Sequence, residues 1–134
     1  MKAVYQLRKD HKYIQLVQEA TLGRDDAGLK MTHGLFGSEE WWDNIENGML
    51  PAETIKGVIS DVYVSGHNDY PEFKVLSNGG QKTAWTRDVN NGLEDGIYEI
   101  GKKVEIDFVI QKFKNLCPVL GEDSKCVIEI RMDE

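Results

Sequence analysis

Cysteine, proline and histidine are all scarce in this 134-residue chain, at two, three and three residues. Cys117 and Cys126 match no zinc-ligand spacing and no C-x-x-C redox pair. They read as two free thiols of a reducing, cytoplasmic compartment, and nothing in their context supports a disulfide across the intervening loop. No apolar run approaches the roughly 18 residues that a membrane-spanning helix needs. The opening stretch MKAVYQLRKD has no apolar core of the kind a signal peptide carries. Bases never occur more than two together (Arg8–Lys9, Lys102–Lys103), and there is no internal repeat.

Catalytic signatures are equally sparse. His11 falls in a polar turn. His33 stands beside Gly34 with no G-x-S-x-G nucleophile motif to serve. His67 and Asp69 could supply two metal ligands, but a site usually takes three or four with outer support, so no metal and no cofactor are expected. Gly79-Gly80 lies between two strand-like runs rather than ahead of a helix, so it does not cradle phosphate. Acids are so abundant that no carboxylate pair stands out for acid–base work. Asp61, set in an apolar run, is expected to point outward.

What the chain does have is 40% hydrophobic and 29% charged residues, a globular balance. Acids number 23 against 16 bases, a net charge of −7. Such a charge repels a phosphate backbone unless a local basic patch overrides it, and it favours a basic partner or simple solubility.

Residues 3–8 and 12–18 read as a strand pair, from their β-branched and aromatic content. The second run also fits a helix from Asp10 to Gly23. Residues 29–36 are expected to add a short strand. Residues 39–47 form a clear helix, with Ser38 as N-cap, Glu39 and Glu40 at the positive end of the dipole, and Gly48 and Pro51 to stop it. Ile45 and one of Trp41 and Trp42 should be covered, and the other tryptophan partly exposed. From residue 53 onward strands dominate. Residues 54–64 contain Gly57, which marks a bend or bulge. Residues 72–77 and 81–87 flank the hairpin signal Asn78-Gly79-Gly80. Residues 103–113 alternate through Val104, Ile106, Phe108 and Ile110, and 125–132 through Cys126, Ile128, Ile130 and Met132, as half-buried antiparallel strands do.

The expected fold is therefore mainly β: a small antiparallel five-stranded barrel over 53–132, on which an N-terminal strand pair and one short helix (1–52) pack as a single domain of 1–134. The strand count and bent first strand resemble an OB-type barrel at fold level, over about 80 residues, although residues 88–101 show no period for the helix many such barrels carry, and a β-sandwich or another small barrel is the alternative. The resemblance implies a ligand face on residues 72–77 and 81–87, flanked by the loops 65–71 and 114–124. Lys74, Trp85 and Arg87 are the ligand candidates there, with His67 and Tyr70 in the first loop. An outward Trp85 beside Arg87 would be a stacking platform; the opposite register would bury Trp85.

The second candidate surface is the helix, where Glu39, Glu40, Asp43 and Glu46 carry no intervening base and Trp41 or Trp42 could anchor a protein partner. The leading expectation is a non-enzymatic binding or adaptor module that recognises a protein or a small polar ligand. Alternatives are a single-stranded nucleic-acid-binding module, which the charge disfavours, an acidic immunity-type inhibitor of a basic protein, and an enzyme of unrecognised class.

Overall fold

In the computed structural model, residues 1–134 are described except 24–27, 67–68, 91 and 118–120, and only the backbone is described at 115–117, 121 and 122. Six antiparallel strands form one sheet: β1 (Lys2–Gln6), β2 (Ala52–Val64), β3 (Pro71–Ser77), β4 (Lys82–Thr86), β5 (Lys103–Cys117) and β6 (Gly121–Met132). Two helices, α1 (His11–Leu22) and α2 (Glu39–Glu46), accompany them. The chain is mainly β, as its alternation implies.

The sheet order is β1-β6-β5-β2-β3-β4, an open sheet rather than a closed five-stranded barrel. β2, β3 and β4 form a meander, and β5 then returns to the free side of β2. A closed barrel would pair β1 with β4. Here the outer edge of β1 is occupied instead by Asn90. Gln6 donates its backbone N–H to Asn90 Oδ1 at 2.6 Å, and Asn90 Nδ2 donates to the Gln6 carbonyl at 3.3 Å. The Asn90 N–H reaches the Val4 carbonyl at 3.2 Å. One asparagine thus meets the edge groups that a further strand would have satisfied.

The chain divides into two compact units, and β5 and β6 contribute to both. The first comprises Met1–Gln6, Thr54–Asp107 and Glu129–Glu134. Its core holds Val4, Tyr5, Ile59, Phe73, Val75, Trp85, Tyr98, Val104, Ile106, Ile130 and Met132. Phe73 and Tyr98 pack with tilted rings at 4.6 Å between centroids, and burial pushes the Tyr98 hydroxyl well above its usual pKa while it donates to the Asp88 carbonyl. The Asn78-Gly79-Gly80 turn closes the β3–β4 hairpin as its sequence implies, with Gly80 at φ +84°. Gly57 owes its place to a close approach: a Cβ there would collide with the Leu76 carbonyl oxygen. The register irregularity of β2 lies further on, between Ile59 and Asp61.

The second unit comprises Leu7–Glu53 and Phe108–Ile128. Residues 12–18 belong to α1 and not to a strand. Asp10 accepts from the Tyr13 N–H at 3.2 Å, and Ile14, Val17 and Thr21 recur at helical spacing along the covered side. A cap and a 3.6-residue period together outweigh the β-propensity of the individual side chains. The carbonyls at the end of α1 are met by Lys114, whose ammonium donates to Ala20, Thr21 and Gly23 at 3.0–3.3 Å. Residues 29–36 form no strand; Leu29 makes a single bridge to Phe113.

β5 alternates, but its phase changes. Val104 and Ile106 are buried, then Val109 and Gln111, while Phe108 is half-buried and Ile110 exposed. The change falls where the strand passes from the first unit to the second, so each unit covers a different parity of positions. On β6, Cys126, Ile130 and Met132 are buried as expected and Ile128 is half-buried.

Candidate functional site

α2 separates its two chemistries by spacing alone. At 100° per residue, Glu39, Asp43 and Glu46 fall within roughly 60° of one another, with Glu40 beside them. Trp41, Ile45 and Trp42 span roughly 100° of the remaining side, with Trp42 about 40° from Glu46 at the border. All four acids are exposed and both tryptophans are buried, at 0% and 8% exposure. The expectation that one tryptophan would be partly exposed is therefore corrected. Trp41 packs between Phe36 and Trp42, at 4.7 and 4.8 Å between centroids, and Arg8 covers the Trp42 ring.

The helix is fixed at several points. The Ser38 hydroxyl accepts from the Trp41 N–H at 3.2 Å. Trp41 Nε1 donates to Gln111 Oε1 at 3.0 Å, and Gln111 Nε2 donates to the Lys30 carbonyl at 2.8 Å. Asn44 Nδ2 donates to the His33 carbonyl at 3.0 Å. The acidic face is thus carried on a held element.

That face costs stability. Glu39–Asp43, Glu40–Asp43 and Asp43–Glu46 are like-charge pairs at helical contact spacing, worth about 0.2–0.5 kcal/mol each against the helix. Glu39 and Glu40 gain from the positive end of the dipole, whereas Asp43 and Glu46 lie toward the negative end. Of these four acids, only Glu46 has an ion pair among the described residues, with Arg8 at 3.1 Å.

A second acidic group, unmarked by any motif, surrounds Arg131 in the first unit. Its guanidinium bonds both Asp107 oxygens, at 2.7 and 3.0 Å, and also Glu129 and Glu105. Asp107 further accepts from the Thr54 hydroxyl, and Glu129 from Gln6 Nε2. The Arg131 hydrogen bond holds the Asp107 carboxyl below the usual aspartate range. Every member has an internal partner, so this group reads as a brace across the sheet. Glu105 and Asp107 on one strand, and Glu129 and Arg131 on another, were visible as outward alternating positions; their convergence was not.

The residues proposed for an OB-type ligand face do not form one cationic surface. Phe73 pairs with Trp85 and Lys74 with Ala84, so Trp85 and Lys74 lie on opposite sides of the hairpin. Trp85 is 4% exposed, and its Nε1 donates to Thr83 Oγ1 at 2.8 Å. Arg87 is spent on the Tyr63 carbonyl at 3.0 Å and on Asp95 at 3.5 Å. Lys74 lies 5.6 Å from the centroid of the Tyr63 ring, whose hydroxyl donates to Glu72. Asp61 does face outward; the Ser60 hydroxyl and then Lys82 hold its carboxyl below the usual range. Tyr70 is exposed, and His67 lies outside the described residues.

The described residues hold no group of three or more His, Cys, Asp or Glu able to take a metal ion. No described helix is long and apolar enough to cross a membrane. A cavity of about 260 Å³ opens between Val4, Leu93, Ile97 and Met132, below the ~300–1,000 Å³ usual for a small-molecule site. The acidic face of α2 is left as four exposed carboxylates on a held element. No curated protein matches the chain. A family model described as Immunity protein RhsI2 does match, from residue 1 to residue 133, and by that match over nearly its whole length the chain belongs to the RhsI2 immunity protein family.

Proposed function

We propose that this protein neutralises a basic protein toxin by binding it, without catalysis of its own, and that the acidic face of α2 is the docking surface. Family membership over residues 1–133 is the observation that carries the reading. An immunity protein acts on a protein partner, which sharpens the broader expectation of a binding module and favours the inhibitor alternative. The net charge of −7 and the largely unpaired carboxylates Glu39, Glu40 and Asp43 support a cationic partner, because opposite potentials steer encounter and set the register of docking. A toxin that handles nucleic acid would offer such a surface. Burial of Trp41 and Trp42 gives them the part of a rigid support beneath the acids. The cytoplasm, where Cys126 stays reduced, is the proposed site of action.

The test is co-expression in a sensitive host with the toxin encoded beside this chain. Growth should be protected, and the two proteins should co-elute as a stoichiometric complex. Growth arrest with this protein present, soluble and folded would refute the reading.

A further inference from the structure

Among the described residues, the cation paired with the acidic face is the protein's own Arg8. Arg8 lies in the turn that follows β1, and its guanidinium carbon sits 4.0 Å from the centroid of the Trp42 ring. The same guanidinium reaches Glu46 Oε1 at 3.1 Å. An aromatic face and a carboxylate at one spot are the two groups that select an arginine. The contact is held loosely: the side chains of Arg8 and Glu46 are 56% and 67% exposed, where an ion pair contributes little. Trp42, at 8% exposure, lies beneath. Nothing in the Trp42–Glu46 arrangement requires that its cation come from the same chain.

Resting on the docking proposal above, we infer that Arg8 is an exchangeable stand-in: the partner inserts an arginine between the Trp42 ring and Glu46, and Arg8 moves out into solvent. The site is then kept covered in the free protein and is guanidinium-selective in the complex. Arg8 sets that selectivity by competition, since an incoming side chain must do better than the resident one.

The probe is the peptide acetyl-Gly-Arg-Gly-Arg-Gly-amide, titrated at low salt and followed by the NMR signals of the three indole N–H groups. Arg8→Ala and Lys9→Ala remove the same charge from adjacent exposed residues, so they differ only in whether the site is vacated. The Trp42 signal should shift selectively, and Arg8→Ala should bind about three- to tenfold more tightly than Lys9→Ala, the size of one exposed cation–π and ion-pair contact. The lysine version of the peptide should bind more weakly to Arg8→Ala than the arginine version. Equal affinity in the two variants, weaker binding by Arg8→Ala, or no preference for arginine would overturn the inference. The docking reading is separate: if neutralising Glu39, Glu40 and Asp43 abolishes protection from the toxin while the peptide ignores Arg8, docking stands and the stand-in falls.

Discussion

Trp41 donates its indole N–H to Gln111 across 3.0 Å, although 70 residues separate them and both are buried. Gln111 is one of two buried polar residues among those described, and it spends its other end on the Lys30 carbonyl. Replacing it with leucine leaves a buried indole N–H and a carbonyl without partners. Gln111→Leu should therefore lose about 1–3 kcal/mol in urea denaturation, despite its greater apolarity. A cycle with Trp41→Phe should show coupling, because the phenylalanine no longer needs the acceptor. Additive losses would mean that the hydrogen bond contributes nothing.

Acid sensitivity should trace in part to Asp107. The Arg131 hydrogen bond holds its folded pKa below the ordinary aspartate value of 3.8. A depressed carboxylate contributes stability that is fully present above the unfolded pKa and is lost as pH falls through the folded one. Wild type should thus lose stability steeply below about pH 4, and Asp107→Asn should be weaker at neutral pH with a shallower acid-side slope. Asp61 shifts the same way but belongs to a different, exposed pair, so the difference between the two proteins isolates Asp107. Parallel slopes in chemical denaturation from pH 2.5 to 7 would contradict this.

Elements whose signals are local were legible. α2 has its cap at Ser38, its acids in the first turn and Pro51 behind it, all within a dozen residues. The β3–β4 hairpin is set by Asn78-Gly79-Gly80, and β6 by its alternation. Where two local signals compete, propensity misleads: Tyr13, Ile14 and Val17 suit a strand, but Asp10 and the spacing to Thr21 make a helix. Burial parity was misread at Phe108 and Ile110 because β5 serves two compact units, and no single residue announces the change. The side taken by Trp85 depends on its pairing with Phe73, which the two strand sequences leave open. Barrel closure failed for a similar reason, since a lone Asn90 substitutes for a strand edge. Of the site, the four acids of α2 were legible as a face, whereas Arg8 meets Trp42 and Glu46 only through the fold.

Cys126 should be chemically quiet in the native state. Burial pushes its thiol up to about 11, so at pH 8 only ~0.1% of it is the reactive thiolate. In a Cys117→Ser background, native protein should react with a disulfide-exchange reagent at least ~10-fold more slowly than the unfolded chain, whose thiol has a pKa near ~8.5. Comparable rates would place Cys126 at the surface and would contradict the core of the second unit.

Stability and function should part company on α2. Asp43 is repelled by Glu39, Glu40 and Glu46 at helical contact spacing, and Asp43 and Glu46 also face the negative end of the dipole. Replacing Glu39 and Asp43 with glutamine and asparagine removes that repulsion and leaves the buried Trp41 and Trp42 untouched. Stability at low salt should stay level or rise by about 0.2–0.5 kcal/mol, and the gain should fade at 1 M salt, where screening has already weakened the repulsion. Binding to the toxin should move the opposite way. Association should slow by about tenfold or more at low salt, with a smaller change in dissociation, because exposed charges act mainly on encounter. Calorimetry of the free protein and surface-binding kinetics of the complex read the two effects separately. A variant that lost stability and affinity together would mean that these acids hold the helix in place, and the docking surface would then have to be sought elsewhere.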